Sequence, residues 1–130
     1  MIFEDGEQTR DFVHVSDIVQ ANLLALEKDG ADYQAINVGT GRATSVSHVA
    51  RLLTEGLNKQ LTPDFVGKYR EGDIRHCFAD ISRARKLLGY EPKVSLEQGI
   101  PELLSWVRDQ TARDLVAQAT GELESRQLVR

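Results

Sequence analysis

Hydrophobic positions along the chain switch between two periods. "RDFVHV" (10–15) alternates and predicts a short strand, whereas "SDIVQANLLALEKDG" (16–30) keeps helical spacing. Ile18, Ala21 and Ala25 share one stripe of that helix, with Val19, Leu23 and Leu26 beside it, so its apolar surface is wide and should be covered. Ser16 is the expected N-cap, Asp17 suits the first turn, and Gly30 is the expected stop. "QAINV" (34–38) reads as a second strand, and "GTGRATS" (39–45) turns into a helix carrying Val46, Val49, Ala50, Leu53 and Leu57 behind the cap Ser45. "TPDFVG" (62–67) and "RHCFA" (75–79) are strand-like. Asp80 should cap a short helix holding Ile81, Ala84, Leu87 and Leu88, which Gly89 ends just ahead of Pro92. Ser95 and Gln98 form a capping-box pattern before Leu96, Ile100, Leu103 and Val107, and Pro101 should kink this helix. Residues 112–129 are weakly helical and mostly polar. The alternation of elements predicts an α/β fold, with no repeat or linker that would mark an internal domain boundary.

Composition then narrows the function. A net charge of −4 and a pI near 5.4 exclude a general nucleic-acid surface, which needs a broad basic face. Cys77 is the only cysteine, so neither an internal disulfide nor a cysteine-based zinc site can form, and a reducing cytoplasm fits. Charge at the fourth residue and the lack of a long apolar run argue against export or a membrane span.

Several catalytic patterns are incomplete. "NVGTGRATS" has Thr44 where a dinucleotide fingerprint needs its third glycine, so a tight strand-to-helix turn is the better reading. Tyr33, Tyr69 and Tyr90 are followed four positions later by Asn37, Asp73 and Val94, which leaves no Tyr-x-x-x-Lys pair. His14, His48 and His76 lack metal-site spacing. Against this acidic background, "YREGDIRHCFAD" (69–80) gathers Arg70, Arg75 and His76 within seven positions.

Three blocks, "GEQTRDFVHVSDIVQANLLAL", "INVGTGRATSV" and "YREGDIRHCFADISRARKLLGYEPKVSLEQGIPELLSW", resemble the C-terminal half of extended short-chain dehydrogenase/reductase enzymes. These are the NAD-dependent nucleotide-sugar epimerases and dehydratases, and the blocks are most similar to UDP-glucose 4-epimerase-like and dTDP-sugar 4-epimerase-like members. The resemblance runs from about residue 2 to residue 107. It implies the substrate-binding part of a Rossmann-type fold, over residues 1–110, followed by a helical tail at 111–130. The family's NAD-binding glycine loop and catalytic Ser/Thr with Tyr-x-x-x-Lys lie N-terminal to the stretch matched. NAD is therefore implied for the full-length enzyme and not for this chain, which alone is expected to be inactive.

The implied partner is a UDP- or dTDP-linked sugar, and the implied reaction begins with oxidation at the sugar C4. By the same resemblance Arg10 and Arg70 contact the diphosphate. Arginine suits that role, because its planar fork of donors matches phosphate oxygens and never loses its charge. Gly72 permits the turn and Asp73 can accept from ribose hydroxyls. The competing reading of Arg70 and Asp73 is a surface ion pair of little worth.

The other polar candidates read as structural. Arg75 and His76 point to opposite faces of a strand, so at most one joins the site. Asp11, His14 and Asp17 read as structural, Cys77 as a small core hydrophobe, and "SRARK" as a solvated helix face. Trp106 reads as packing or, if exposed, as a dimer contact. If the surfaces that the family packs on its NAD-binding half stay open, helix 16–27 and its neighbouring strands predict a two-fold homodimer. The alternative to an enzyme part is a self-standing, non-catalytic module that binds a nucleotide or a protein.

Overall fold

The computed structural model describes all residues from Met1 to Arg130. In chain order the elements are β1 (Thr9–Arg10), α1 (Val15–Glu27), a 3-10 turn (Asp29–Ala31), β2 (Thr44–Ser45), α2 (Val46–Gly56), α3 (Ser82–Leu88), α4 (Leu96–Arg108) and α5 (Val116–Ser125). β1 and β2 run antiparallel, with Thr9 opposite Ser45 and Arg10 opposite Thr44. Three single bridges supplement them: Ile2 with Phe65 and Thr9 with His76, both parallel, and Arg70 with Val129, antiparallel.

The helices follow the sequence pattern closely. The Ser45 hydroxyl caps α2 by accepting from the His48 N–H, and both bonds of the Ser95/Gln98 capping box are made. Gly89, at φ +66°, closes α3 in the left-handed conformation that glycine adopts without strain, but at the other end Ile81, not Asp80, is the N-cap and makes no side-chain cap bond; Asp80 accepts from the Ser82 N–H at 2.9 Å from one residue earlier. α4 continues through Pro101 as one segment. At α1 the expectation shifts: His14, not Ser16, is the N-cap, its Nδ1 accepting from the Ser16 N–H. α1 also stops at Glu27, before Gly30, because the 3-10 turn takes over.

The strands are where the structure departs from the reading. Of "RDFVHV" only Arg10 joins the sheet; "QAINV" joins none; "TPDFVG" and "RHCFA" each contribute a single bridge. Alternation reports which way side chains face, while a ladder also needs a neighbouring backbone, which this chain supplies over one bridge for 62–67 and for 75–79 and not at all for 34–38.

Twelve of the 130 residues are buried, too few for one continuous core, and the seven apolar side chains among them gather in two patches. Between α1 and α3 lie Ala21, Ile81, Ala84, Leu88 and Tyr90, flanked by Leu24, Ile36 and Val38. Between α2 and α4 lie Ile100 and Leu104. The fully buried Tyr90 donates its hydroxyl to the Gly39 carbonyl at 2.9 Å. Asp17, 1% exposed, accepts from the N–H groups of Lys93 and Val94 at 3.0 and 3.1 Å, so it ties α1 to the approach of α4 rather than serving its own helix end.

One expectation about burial is reversed, and another, an open apolar face on helix 16–27, is met. Cys77 is exposed and Phe78, which faces the other way, is 54% exposed, so neither side of the segment is closed over at these two positions. α1 is covered on its Ala21 face only. Val15, Val19, Leu23 and Leu26, spaced three or four residues apart, form an open stripe at 68%, 51%, 55% and 85% exposure. No helix is long and apolar enough to cross a membrane.

Candidate functional site

The segment 75–77 lies alongside β1: the Thr9 N–H donates to the Arg75 carbonyl at 3.0 Å and the Cys77 N–H to the Thr9 carbonyl at 3.1 Å. Just before it, residues 70–73 form a tight turn in which the Asp73 N–H donates to the Arg70 carbonyl at 3.1 Å. Gly72 occupies the turn at φ +80°, a conformation a side chain would strain. This pairing and turn together bring β1's arginine to the turn's carboxylate.

Arg10 Nη2 donates to Asp73 Oδ1 at 2.6 Å, across 63 residues of sequence, and Arg70 Nη2 donates to Asp73 Oδ2 at 2.7 Å. Arg10 Nη1 is fixed further by the carbonyls of Thr9 and Arg75. The Arg70 guanidinium sits 5.3 Å from the centroid of the Phe3 ring, within cation–π reach. The three sequence-predicted site residues thus share one carboxylate and carry one net positive charge.

Their exposure bears on what this cluster does. The side chains of Arg10 and Asp73 are 30% exposed and that of Arg70 is 50% exposed, and ion pairs so open contribute at most about 1 kcal/mol each to stability. Arg70 commits one of its five N–H donors to Asp73 and makes no other side-chain hydrogen bond within the chain. The arrangement orients two guanidinium forks while leaving donors for an anion.

The neighbouring cations are engaged elsewhere. Arg75 pairs with Glu4 and, at 2.8 Å, with Asp5. The Arg75 bond holds the Asp5 carboxyl below its usual range, and Asp5 and Glu4 in turn raise Arg75. His76 Nδ1 lies 2.9 Å from the Thr9 hydroxyl oxygen.

"NVGTG" proves to be a carboxylate cradle for the chain's own Asp11. Asp11 accepts from the Thr40 N–H and hydroxyl, the Gly41 N–H and the Ala79 N–H, at 2.5 to 3.2 Å. Burial pushes its pKa up, but the bonds from Thr40, Ala79 and Gly41 outweigh that and hold it below the ordinary value. A side chain at Gly39 would collide with Asp11 and Ala79, so close packing explains that glycine.

Two features went unread in the sequence. An apolar groove of about 580 Å³ runs between residues 11–15 and α4, walled by Phe12, Val13, Leu103 and Trp106. His14 and Glu102, 3.7 Å apart, lie on it, and Trp106 is 62% exposed. Separately, Glu97 joins Arg42 and His48 at the N-terminus of α4. Its own backbone N–H, then Arg42, Ser95 and His48, lower its pKa to about 2. The aromatic and apolar residues flanking 11–15 and 96–106 are the sequence signal for the groove; the Glu97 cluster has none.

Helices and a fragmentary sheet, with two arginines gathered at its edge, make a mixed α/β unit that carries a candidate anion site. Residues 1–103 match the family profile described as GDP-mannose 4,6 dehydratase. The chain belongs to this family of NAD-dependent nucleotide-sugar epimerases and dehydratases. It is 35% identical over 112 residues to dTDP-L-rhamnose 4-epimerase of Burkholderia thailandensis, covering 86% of this chain and 31% of that protein. It is 36% identical over 110 residues to UDP-glucose 4-epimerase of Mycolicibacterium smegmatis, covering 85% of this chain and 34% of that one. Among solved structures it superposes on UDP-glucose 4-epimerase of Thermotoga maritima with UDP-glucose at a TM-score of 0.76 and 44% identity, covering 82% of this chain and 34% of that chain. UDP-glucuronic acid 4-epimerase of Bacillus cereus with NAD gives 0.70 and 31%, covering 82% and 33%. The chain spans about a third of the length of these relatives.

Proposed function

We propose that this chain is the nucleotide-sugar-binding portion of an NAD-dependent epimerase or dehydratase, holding the nucleotide diphosphate of a UDP- or dTDP-linked sugar for oxidation at C4. The observation that carries this reading is the convergence of Arg10 and Arg70 on Asp73. A diphosphate presents oxygens that two guanidinium forks match with charge-assisted bonds, and Asp73 keeps the forks aligned before the ligand arrives. The free lone pairs of Asp73 accept from the ribose hydroxyls. Such a portion contributes catalysis by positioning. Residues 1–110 carry the site and 111–130 form the tail.

NAD does not fit the residues here. The amides of the Gly39–Gly41 turn, the natural candidates for its pyrophosphate, are occupied by Asp11, and Thr44 stands where the third glycine belongs. In this reading the cofactor is held by other parts of the family fold. An exposed free thiol, Cys77, suits a reducing cytoplasm. The open α1 stripe favours a two-fold homodimer in which each copy covers the other's helix.

Isothermal titration of the 130-residue chain with UDP tests the site. Arg70→Ala or Arg10→Ala removes a charge-assisted contact of roughly 1.5–3 kcal/mol, so affinity should fall about tenfold to a hundredfold. Variants that bind UDP as tightly as the parent would return the arginines to a surface ion-pair role. That outcome leaves the alternative of a self-standing, non-catalytic module.

A further inference from the structure

The turn that carries Arg70 is held from a direction the family match does not reach. Upstream, residues 64–68 are bonded to the N-terminal segment: Ile2 N–H to Asp64 carbonyl, Val66 N–H to Ile2 carbonyl, and Glu4 N–H to Lys68 carbonyl. Downstream, residues 75–77 are bonded to Thr9. Between these anchors, the backbone bonds that leave residues 69–71 go to the last three residues of the chain. The Tyr69 N–H donates to the Arg130 carbonyl at 2.8 Å, the Arg130 N–H to the Tyr69 carbonyl at 3.0 Å, and the Glu71 N–H to the Leu128 carbonyl at 2.8 Å. Arg70 and Val129 stand opposite each other in this antiparallel bridge. Two ion pairs flank it, Arg130 with Glu71 at 3.0 Å and Lys68 with Glu124 of α5 at 3.0 Å.

We infer that residues 128–130 form a backbone clamp that positions Arg70 in the diphosphate site, an inference that rests on the reading above. The physical reason is local. Arg70's own turn offers one bond, Asp73 N–H to the Arg70 carbonyl, and its side chain rests on Phe3 and Asp73. The clamp adds three main-chain bonds on either side of Arg70, so the guanidinium starts from a defined Cα rather than a swinging loop. The family profile ends at residue 103, so the clamp lies outside what the match covers. Tail residues act here through Arg70 and do not touch the ligand.

The test is a deletion of residues 128–130 from the full chain, combined separately with Arg70→Ala and with Arg10→Ala, and titrated with UDP. The deletion should lower affinity about tenfold in the parent and in Arg10→Ala, and by less than twofold in Arg70→Ala, because its effect runs through Arg70. A general loss of folding would lower affinity alike in all three backgrounds and would overturn the inference. The conservative chain carrying Val129→Ala and Arg130→Ala keeps the main-chain bonds and should recover most of the affinity. Hydrogen exchange gives a readout without ligand: the Tyr69 and Glu71 amides should lose protection on deletion while those of Thr9 and Cys77 keep it. Parent binding with an unchanged deletion variant overturns the clamp alone. A parent that does not bind UDP overturns the diphosphate reading, and the clamp's role with it.

Discussion

Replacing Leu23 and Leu26 with Glu should turn an associating protein into a monomer. The two side chains are 55% and 85% exposed on the open face of α1, next to Val15 and Val19. Fully burying a leucine is worth roughly 1.5–3 kcal/mol, so, scaled by those exposures, covering the pair contributes about 2–4 kcal/mol per copy. A two-fold interface counts each residue twice, which gives about 4–8 kcal/mol, or roughly a thousandfold to a millionfold in the dimer dissociation constant. The glutamates add the cost of burying charge to that loss. Sedimentation equilibrium at micromolar concentration should therefore show a dimer for the parent and a monomer for the double variant. The parent's thermal midpoint should rise with concentration, and the variant's should be lower and independent of it. Leu61→Glu, at a position 66% exposed and away from α1, should leave the mass unchanged. A parent that sediments as a monomer with one cooperative unfolding transition would refute the reasoning and favour a self-standing module.

Asp17→Ala should cost about 3–5 kcal/mol in urea unfolding, because it removes two charge-assisted bonds and strands the amides of Lys93 and Val94; a loss under about 1 kcal/mol would show that water replaces the carboxylate. Asp11 has a folded pKa below its unfolded value of 3.8, so its contribution is complete above that value and is lost as pH falls through the folded one. Asp11→Asn should therefore flatten the acid limb of the stability profile, and an unchanged acid limb would remove Asp11 from the account. The chain alone should not bind NAD at micromolar concentration, since Asp11 already occupies the amides of the Gly39–Gly41 turn; a saturable micromolar titration would contradict that occupancy.

Helices were legible because their signals are local. Ser45, Ser95 with Gln98, and Gly89 each act within a few residues of where they stand, and each of these caps or stops is made, whereas Asp80 binds the Ser82 N–H from one residue before the actual N-cap of α3, Ile81. Ser16 lost the N-cap to His14 because an imidazole Nδ1 two residues earlier accepts the same kind of bond, a competitor that cap preferences rank low. Strand ladders were not legible. "QAINV" alternates correctly, yet pairing depends on a backbone partner that alternation does not name. The Cys77 expectation failed for the same reason, since burial in a strand depends on what lies over it. Resemblance pointed to Arg10, Arg70 and Asp73, but their meeting at a single carboxylate follows from the pairing of Thr9 with residues 75–77, which no local pattern encodes. The clamp by residues 128–130 is made of main-chain bonds and leaves no side-chain signature at all.

With two strands of two residues each, something other than a sheet must keep the site's segments in register. Three aspartates do much of this. Asp11 joins the 39–41 turn to Ala79, 68 residues away; Asp17 joins α1 to Lys93 and Val94; Asp73 joins its own turn to β1 through Arg10. Each spends a carboxylate on donors from remote segments, and such bonds are directional where apolar contact is not. Ala79 is two residues beyond Cys77, whose N–H binds Thr9, so Asp11 also steadies the strip against which Arg10 is set. The α1 stripe contributes no residue to this frame. Alignment of the Arg10/Arg70/Asp73 cluster and exposure of the apolar face therefore rest on separate residues, so if the Leu23/Leu26 glutamate variant sediments as a monomer it should serve as a background for measuring what Arg10 and Arg70 bind.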